Sequence, residues 1–462
     1  MAATEKTKAT MSPSERKATI GLASIYAMRM LGLFMILPVF SAFAQHLQSA
    51  TPLLIGLAIS AYGLTQAILQ IPFGMASDRF GRKKVIALGL CLFAAGSIVA
   101  ALADSIYGVI AGRALQGSGA IAAATMALLA DLTREDQRTK AMASIGMSIG
   151  LAFAVSLIAG PIIASQVGLS GIFWLTACLA ISAIVILFTL IPNPVRERFH
   201  RDAETLPALI QQVIKSPELL RLDFGIFVLH LVLTAGFVVL PILIIKAGLP
   251  IVEHWKVYLP TLLLSIGVMI PLVIIAESKR KMKTVFLSAI MLVSIAEIGF
   301  ALFHDSILAI GISMFVFFAG FNVLEATLPS LVSKLAPADS KGTAMGIYST
   351  SQFLGAFCGG TLSGWISGQW GASIVFLVIA IIVLLWAMVA SSMKPPRHIS
   401  SLLWSVDIKN SEQARQLSLD VAKIAGIEEA VIVPEDGVAY LKVNKSKLNM
   451  QVLEKLLGTQ VK

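Results

Sequence analysis

The sequence predicts an all-α membrane protein of twelve transmembrane helices in two six-helix bundles, followed by a small α+β module. Three observations predict it. The 462 residues are 57% hydrophobic and only 13% charged, about half the charged share of a soluble domain. The apolar residues collect in runs long enough to cross a hydrocarbon core, which takes about 20 residues of helix. Lys and Arg, which carry the net charge to +10, cluster in every second gap between those runs, as cytoplasmic loops do.

The runs are 18–43, 52–77, 84–103, 106–130, 140–165, 171–191, 222–246, 255–276, 284–303, 306–333, 342–366 and 370–392. They do not alternate apolar with polar as barrel strands would, so helix is the form that satisfies the backbone in lipid. The basic clusters at 79–84, 134–140, 196–201, 279–283 and 334–341 place both termini in the cytoplasm. The same placement assigns the positive charge to orientation in the bilayer, and no nucleic-acid partner is expected. Met1–Lys17 reads as a polar cytoplasmic tail rather than a signal peptide. Cys91, Cys178 and Cys358 lie inside runs without metal-ligand spacing. They are expected as buried small residues, with neither metal nor cofactor.

The gap 192–221 holds Pro192, Pro194, Pro207 and Pro217 around a short amphipathic stretch. It reads as a linker between an N-terminal bundle, 1–191, and a C-terminal bundle, 222–393. The halves repeat, since residues 130–142 align with 333–345 at Leu, Asp, a basic residue, Ala and Met; two related bundles about one axis follow. Beyond Lys394-Pro395-Pro396 the composition becomes that of a soluble module, 400–462. Strand Leu402–Ile408, helix Glu412–Ile424, strands Ala430–Val433 and Val438–Val443 around a Pro434–Gly437 turn, and helix Met450–Leu457 give the order βαββα, a split βαβ unit whose final strand is short or absent.

Chemistry concentrates in a few places. The loop after the second run reads Gly74-Met75-Ala76-Ser77-Asp78-Arg79-Phe80-Gly81-Arg82-Lys83-Lys84. Gly74 permits close helix packing, Gly81 a tight turn, and Asp78 at a helix end can face the positive end of a neighbouring helix. The fourth run carries Arg113-Ala114-Leu115-Gln116-Gly117. An arginine so deep in an apolar helix faces a cavity or caps the carbonyls of a neighbour. Arg29, Gln66, Gln70, His230, Asn322, Glu325 and Gln352 also fall at membrane depth. With Arg113 and Gln116 they are the candidate cavity, Arg29 as its cation and Glu325 as a proton acceptor; the alternative is mutual pairing for structure. Glu297 is placed near the outer surface. Gly146, Gly150 and Gly160-Pro161 allow a helix bend in the fifth run. No G-x-x-x-x-G-K-[ST] loop is present, which argues against an ATP-driven pump.

The loop 74–84 resembles the G-x-L-A-D-R-x-G-R-K signature of the major facilitator superfamily, departing at Ala76 and Ser77. Arg113–Gly117 resembles the family's R-x-x-Q-G motif. Gly160-Pro161 resembles the start of its antiporter signature, with Ala164 and Ser165 where glycines would stand. The resemblance implies a conformational switch of Gly74, Asp78, Arg79, Gly81, Arg82, Lys83 and Asp131. In it Arg82 pairs with Asp131, and Asp78 faces the helix that starts near Gly342. It also implies proton coupling at Arg113. With the terminal module, the whole chain resembles a proteobacterial branch of inner-membrane drug or metabolite exporters that carry a ferredoxin-like cytoplasmic domain. The expectation is a proton-coupled efflux transporter working by alternating access, not an enzyme, with a small molecule, protons and the lipid bilayer as partners. The module has no cysteine after Cys358, so it is expected to dock on the transporter or a second copy rather than bind a soft metal. The alternatives are a ligand sensor that uses the module as reporter, and a uniporter or importer on the same fold.

Overall fold

A computed structural model of the chain describes residues 10–194, 207–337, 340–394, 400–406, 408, 410–434, 437–444 and 447–457. The expected linker residues 195–206, Asp339 of the repeat, and Glu435 and Asp436 of the hairpin turn lie outside the described residues.

Helix stands at each of the twelve apolar runs. The elements are α1 (Pro13–Phe34), α2 (Phe40–Ala44), α3 (Pro52–Phe80), α4 (Arg82–Ala101), α5 (Ile106–Ser118), α6 (Ala122–Asp131) and α7 (Glu135–Thr189), then α8 (Pro207–Ile214) in the linker. The second half holds α9 (Pro217–Lys246), α10 (Trp255–Ser278), α11 (Met282–Leu302), α12 (Ile307–Leu335), α13 (Lys341–Trp370) and α14 (Ala372–Ser391). Eight of the described helices are long and apolar enough to cross a membrane. The remaining runs differ for physical reasons. Run 18–43 divides into α1 and α2, and run 106–130 into α5 and α6 around Gly119, whose φ and ψ of −79° and 58° are not helical. Runs 140–165 and 171–191 are joined as α7 through Gly168, at a φ of 65°. Run 342–366 is diluted by Gly and Ser.

Local signals start several helices. Ser12 and Glu15 form a reciprocal capping box on α1. The Thr51 and Ser105 hydroxyls accept from the backbone N–H groups of Leu54 and Gly108 at the starts of α3 and α5. These bonds satisfy donors that a helix start leaves open. The outward faces are apolar, with Ile68, Leu151 and Leu308 exposed, as a lipid-facing surface requires. Cys91 and Cys178 lie on these outward faces, which corrects their expected burial. The sequence told only that they sit in apolar runs, and in lipid both sides of such a helix are apolar.

The packing differs between the two ends of the bundles. One end carries the basic loops; the other carries the loops near residues 45–51, 102–105 and 247–254. In the half away from the basic loops, Met35, Phe40, Ile55, Ile59 and Leu157 of the first bundle share one core with Leu229, Phe237, Tyr258 and Phe318 of the second. In the basic half, Leu22, Ile25, Tyr62, Phe93, Leu128 and Leu187 of the first bundle form a separate core, with Phe353 as the residue of the second bundle packed against it among those described. The seam of the shared half is α3 against α13. A Cβ on Gly56 would stand 2.2 Å from the Gly360 carbonyl oxygen and 2.9 Å from the Gly364 Cα, so the two backbones approach as only small residues allow. The Ser60 and Thr361 hydroxyls meet across it at 3.1 Å.

The terminal module is a three-stranded antiparallel sheet in the order β1-β3-β2, with β1 (Ser400–Ser405), β2 (Ile427–Val433) and β3 (Val438–Val443), plus helices α15 (Ser411–Ala422) and α16 (Met450–Leu457). In register, Leu402 pairs with Leu441 and Ser405 with Val438. Trp404, Val421, Ala439, Leu441 and Leu453 make a core of its own. The order and the antiparallel pairing are those of a ferredoxin-like unit without a fourth strand among the described residues.

Gly56→Leu should force α3 and α13 apart. In a Ser60→Cys, Thr361→Cys background, oxidation should cross-link the two helices readily, and adding Gly56→Leu should cut the yield several-fold while the protein still elutes as a single species. An unchanged yield would mean that the seam does not need the glycine.

Candidate functional site

At the basic end, Gly81 takes a φ of 97°, a left-handed value that costs a side chain dearly, and so turns α3 into α4 within one residue. That turn swings Arg82 back under α3. Its guanidinium bonds Asp78, reaches the Ser77 hydroxyl at 3.0 Å and meets Asp131 of α6 at 3.3 Å. Arg82 and Asp131 are both essentially excluded from solvent, at 2% and 0% side-chain exposure, so this is a buried ion pair. Ser77 is part of it: its hydroxyl also donates to the Gly74 carbonyl at 2.7 Å. Gly74 itself packs closely on Ala123 of α6. Asp78 keeps its bond within its own bundle. Arg79 lies exposed over the Phe80 ring. The Lys83 ammonium donates to the Ile191 carbonyl at 2.6 Å, tying α4 to the end of α7.

A second pair at this end holds the N-terminal segment. Glu15 precedes the apolar run and accepts from the Arg134 guanidinium and backbone N–H at 3.0 and 2.8 Å. Burial pushes its carboxyl up, but the hydrogen bonds of Arg134 and Ser12 outweigh it and hold the pKa at about 2.

At mid-depth the polar residues of the first bundle form two networks around one ring. The Arg29 Nη2 of α1 donates to Gln66 of α3 at 2.7 Å and to the Gly119 carbonyl at 2.9 Å. Gln66 in turn donates to Gln70 at 2.8 Å. Arg113 of α5 donates to Gln116 at 2.8 Å and to the Ile59 carbonyl at 3.1 Å, and Gln116 donates to Ser97 at 2.7 Å. Tyr62 stands between them, its ring 5.7 Å from the Arg29 guanidinium and 5.2 Å from that of Arg113. The break at Gly119 is tied to chemistry: its carbonyl accepts from the Ile121 backbone N–H at 2.9 Å and from Arg29.

The second bundle carries the acids. His230 of α9 bonds Gln352 of α13 at 2.7 Å, and Asn322 of α12 donates to Ser265 of α10 at 2.9 Å. Glu325 of α12 is half-buried, and its Oε2 has no partner. Tyr348 of α13 lies within electrostatic reach of both Glu325 and Asp223. Asp223, at the start of the seventh apolar run, was not among the sequence candidates. Glu297 is 1% exposed, with Oε2 unpartnered, beside a small cavity lined by Phe237, Phe300 and Phe318. Glu297 sits toward the end of α11 away from the basic loops, with its side chain turned inward.

The predicted cavity residues thus fall into separate groups on the two bundles. They approach each other through the Tyr62 ring, 6.2 Å from Phe353 of α13, and through Phe153 of α7, 6.1 Å from Phe318 of α12. Gly150 meets open space, and Gly160 packs against the Met35 carbonyl. The non-helical backbone inside α7 falls at Gly168, with Pro161 inside the helix.

Two bundles of membrane helices, each with polar groups at mid-depth, are the architecture of a membrane transport protein. The chain belongs to the Major Facilitator Superfamily, whose sequence profile matches residues 22–359. It is 47% identical over 448 residues, 97% of this chain and 98% of the relative, to the inner membrane transport protein YajR of Escherichia coli K12. Its fold matches a bacterial homologue of the human lysosomal transporter Spinster at a TM-score of 0.68 and 13% identity, covering 82% of this chain and 97% of that one. It matches a D-xylose-proton symporter at 0.64 and 16%, covering 82% and 98%. The family is one of transporters rather than enzymes.

Arg82→Ala strips the cation from two carboxylates, one fully buried. It should cost roughly 3 kcal/mol of stability, read as a lower melting temperature in detergent; a melt within a degree of the parent would show that the pair is dispensable. Glu15→Gln tests the N-terminal clamp and should cost on the order of 2 kcal/mol at neutral pH. Because the folded pKa of Glu15 lies below its ordinary 4.5, the clamp is fully present above pH 4.5 and is lost as pH falls toward about 2. The gap between the Glu15→Gln and parent melting curves should therefore close over that range, and a constant gap would refute the assignment.

Proposed function

We propose that the chain is a proton-coupled exporter of a small molecule in a bacterial inner membrane, with both termini in the cytoplasm and two bundles that alternate access. The observation that carries this reading is the Glu325 carboxyl, with an unpartnered oxygen at membrane depth. The apolar runs of its bundle contain Asp223, Glu297 and Glu325, with no Lys or Arg except Lys246 and Lys256 at run ends. The interior of the first bundle contains Arg29 and Arg113 and no acid. Opposite charges in a low-dielectric interior attract over long distances. A proton on Glu325 removes one of them, weakens the pull between the bundles and shifts the balance between their arrangements.

The orientation follows from the basic loops. The half with a shared core is then the outer half, closed by the α3–α13 seam, and the half with separate cores faces the cytoplasm. Substrate enters from there. Closure of the cytoplasmic half brings the start of α13 toward Asp78, where the carboxylate meets the positive end of that helix. The buried Arg82–Asp131 pair keeps the loop rigid while this happens. The His230–Gln352 bond spans α9 and α13, which both line the route, and it moves with them. The terminal module, with a core of its own, docks on the cytoplasmic face or on a second copy.

Flux into proteoliposomes under an imposed pH gradient tests the reading. Uptake of at least one compound from a panel should follow the gradient, collapse with a protonophore and fall by at least tenfold in Glu325→Gln, a variant of nearly equal size. Flux indifferent to the gradient would point to a uniporter. Saturable binding without any flux would point to a sensor that reports through the module.

A further inference from the structure

The two interior arginines of the first bundle are not equivalent. Arg113 spends its donors within the protein: Nε on the Ala58 carbonyl at 3.4 Å, Nη1 on Gln116 at 2.8 Å and Nη2 on the Ile59 carbonyl at 3.1 Å. Arg29 does not. Both of its bonds come from Nη2, while Nε and Nη1 are buried without a partner, although the residue is only 1% exposed. The Tyr62 hydroxyl lies beside the same guanidinium and interacts with it, but it is buried without a partner at good hydrogen-bond geometry. Three polar atoms on two helices are therefore left open in one place.

The charge is as exposed to argument as the donors. The acids described in the first bundle, Glu15, Asp78, Asp104, Asp131, Glu135 and Asp136, stand at its ends in the chain rather than at mid-depth. A guanidinium buried without a counter-charge is expensive, and a fold would shed that cost by substitution unless something brought a negative charge. The surroundings narrow what that is. The guanidinium lies 5.7 Å from the centre of the Tyr62 ring and 5.6 Å from that of Phe93, so aromatic faces flank it. Tyr26 and Met30 belong to the same core. An anionic head that takes the free edge of the fork in a two-point contact fits the donors, and an apolar body fits the walls.

We propose that Arg29 and Tyr62 form the anion-binding site of the transported molecule, and that the substrate is an organic anion with an apolar, preferably aromatic, body. The inference rests on the transport reading and gives it a substrate class. Tyr62 also touches Phe353 of α13, so the site borders the interface between the bundles in the half where their cores are separate. Movement of α13 against α3 uncovers or covers the tyrosine, and with it the arginine.

Equilibrium binding to the purified full chain in detergent tests this with naphthalenesulfonate, which stays ionised at all usable pH, its neutral sulfonamide, and the methylquinolinium cation of similar shape. The wild type should bind the sulfonate at least tenfold more tightly than the sulfonamide, and the cation weakest. Arg29→Gln should erase the preference. Tyr62→Phe guards against a folding failure of that variant: it should weaken the sulfonate several-fold while leaving the melting temperature of the unliganded protein unchanged or higher, because an unpaired buried hydroxyl has been removed. Equal binding of the three probes, tighter binding of the cation, absence of saturable sulfonate binding, or sulfonate binding unaffected by both substitutions would each overturn the site. A chain that prefers the sulfonate but moves nothing under a gradient overturns the transport reading and leaves the site standing. Gradient-driven flux without anion preference does the reverse.

Discussion

A polar group at membrane depth has no water to fall back on, and the interior of this protein is arranged around that constraint. Every hydrogen bond missing inside the bilayer costs more than it would at a soluble surface. The first bundle meets the demand with side-chain networks that reach from helix to helix: Arg113 to Gln116 to Ser97, and Arg29 to Gln66 to Gln70. These networks fix the relative rotation of α1, α3, α4 and α5, because a helix that rolled would strand a charged group in hydrocarbon. The Gly119 break belongs to the same scheme, since its carbonyl accepts from Arg29 as well as from the Ile121 backbone N–H.

The second bundle is held differently. Its interior is mostly aliphatic with clusters of rings, Phe317, Phe318 and Phe321 in mutual contact and Trp386 fully buried against Phe286. Its polar bonds are few, and its carboxyls keep unpartnered oxygens at Glu297 and Glu325. The contrast is between a bundle knitted by hydrogen bonds, which carries the Gly74–Lys84 loop, and one held mainly by apolar packing, which carries the carboxyls with unpartnered oxygens.

Much of this was legible in the sequence. The apolar runs, the basic loops and the βαββα module follow from period, charge and turn chemistry, and helices and strands stand where those signals put them. The Arg82–Asp131 pair was reachable through the loop pattern, and Gly81 through the turn it must make. What was not legible depends on rotation about a helix axis. In lipid both faces of a helix are apolar, so periodicity no longer says which side is inside; Cys91 and Cys178 turned outward and Glu297 inward for that reason. Ser77 looked like a departure from a pattern, and only the fold shows its hydroxyl on Arg82. Tyr62 carried no sequence signal, because a tyrosine in an apolar run is ordinary until two arginines flank it. Gly56, Gly360 and Gly364 did carry one: small residues at spacings of four mark a helix that packs closely.

The seam and the networks together explain why the two ends can behave differently. Along the shared half, α3 and α13 touch backbone to backbone through glycines, a contact with little side-chain interlock and therefore one that can part without breaking many hydrogen bonds. Along the basic half, the strong bonds run within the first bundle, from Arg82 to Asp131 and from Arg134 to Glu15. Motion at either end therefore leaves the interior of that bundle intact. A rigid body held by a weak, small-residue contact needs only a modest free energy to move; under the proposed coupling, a proton on Glu325 would supply it.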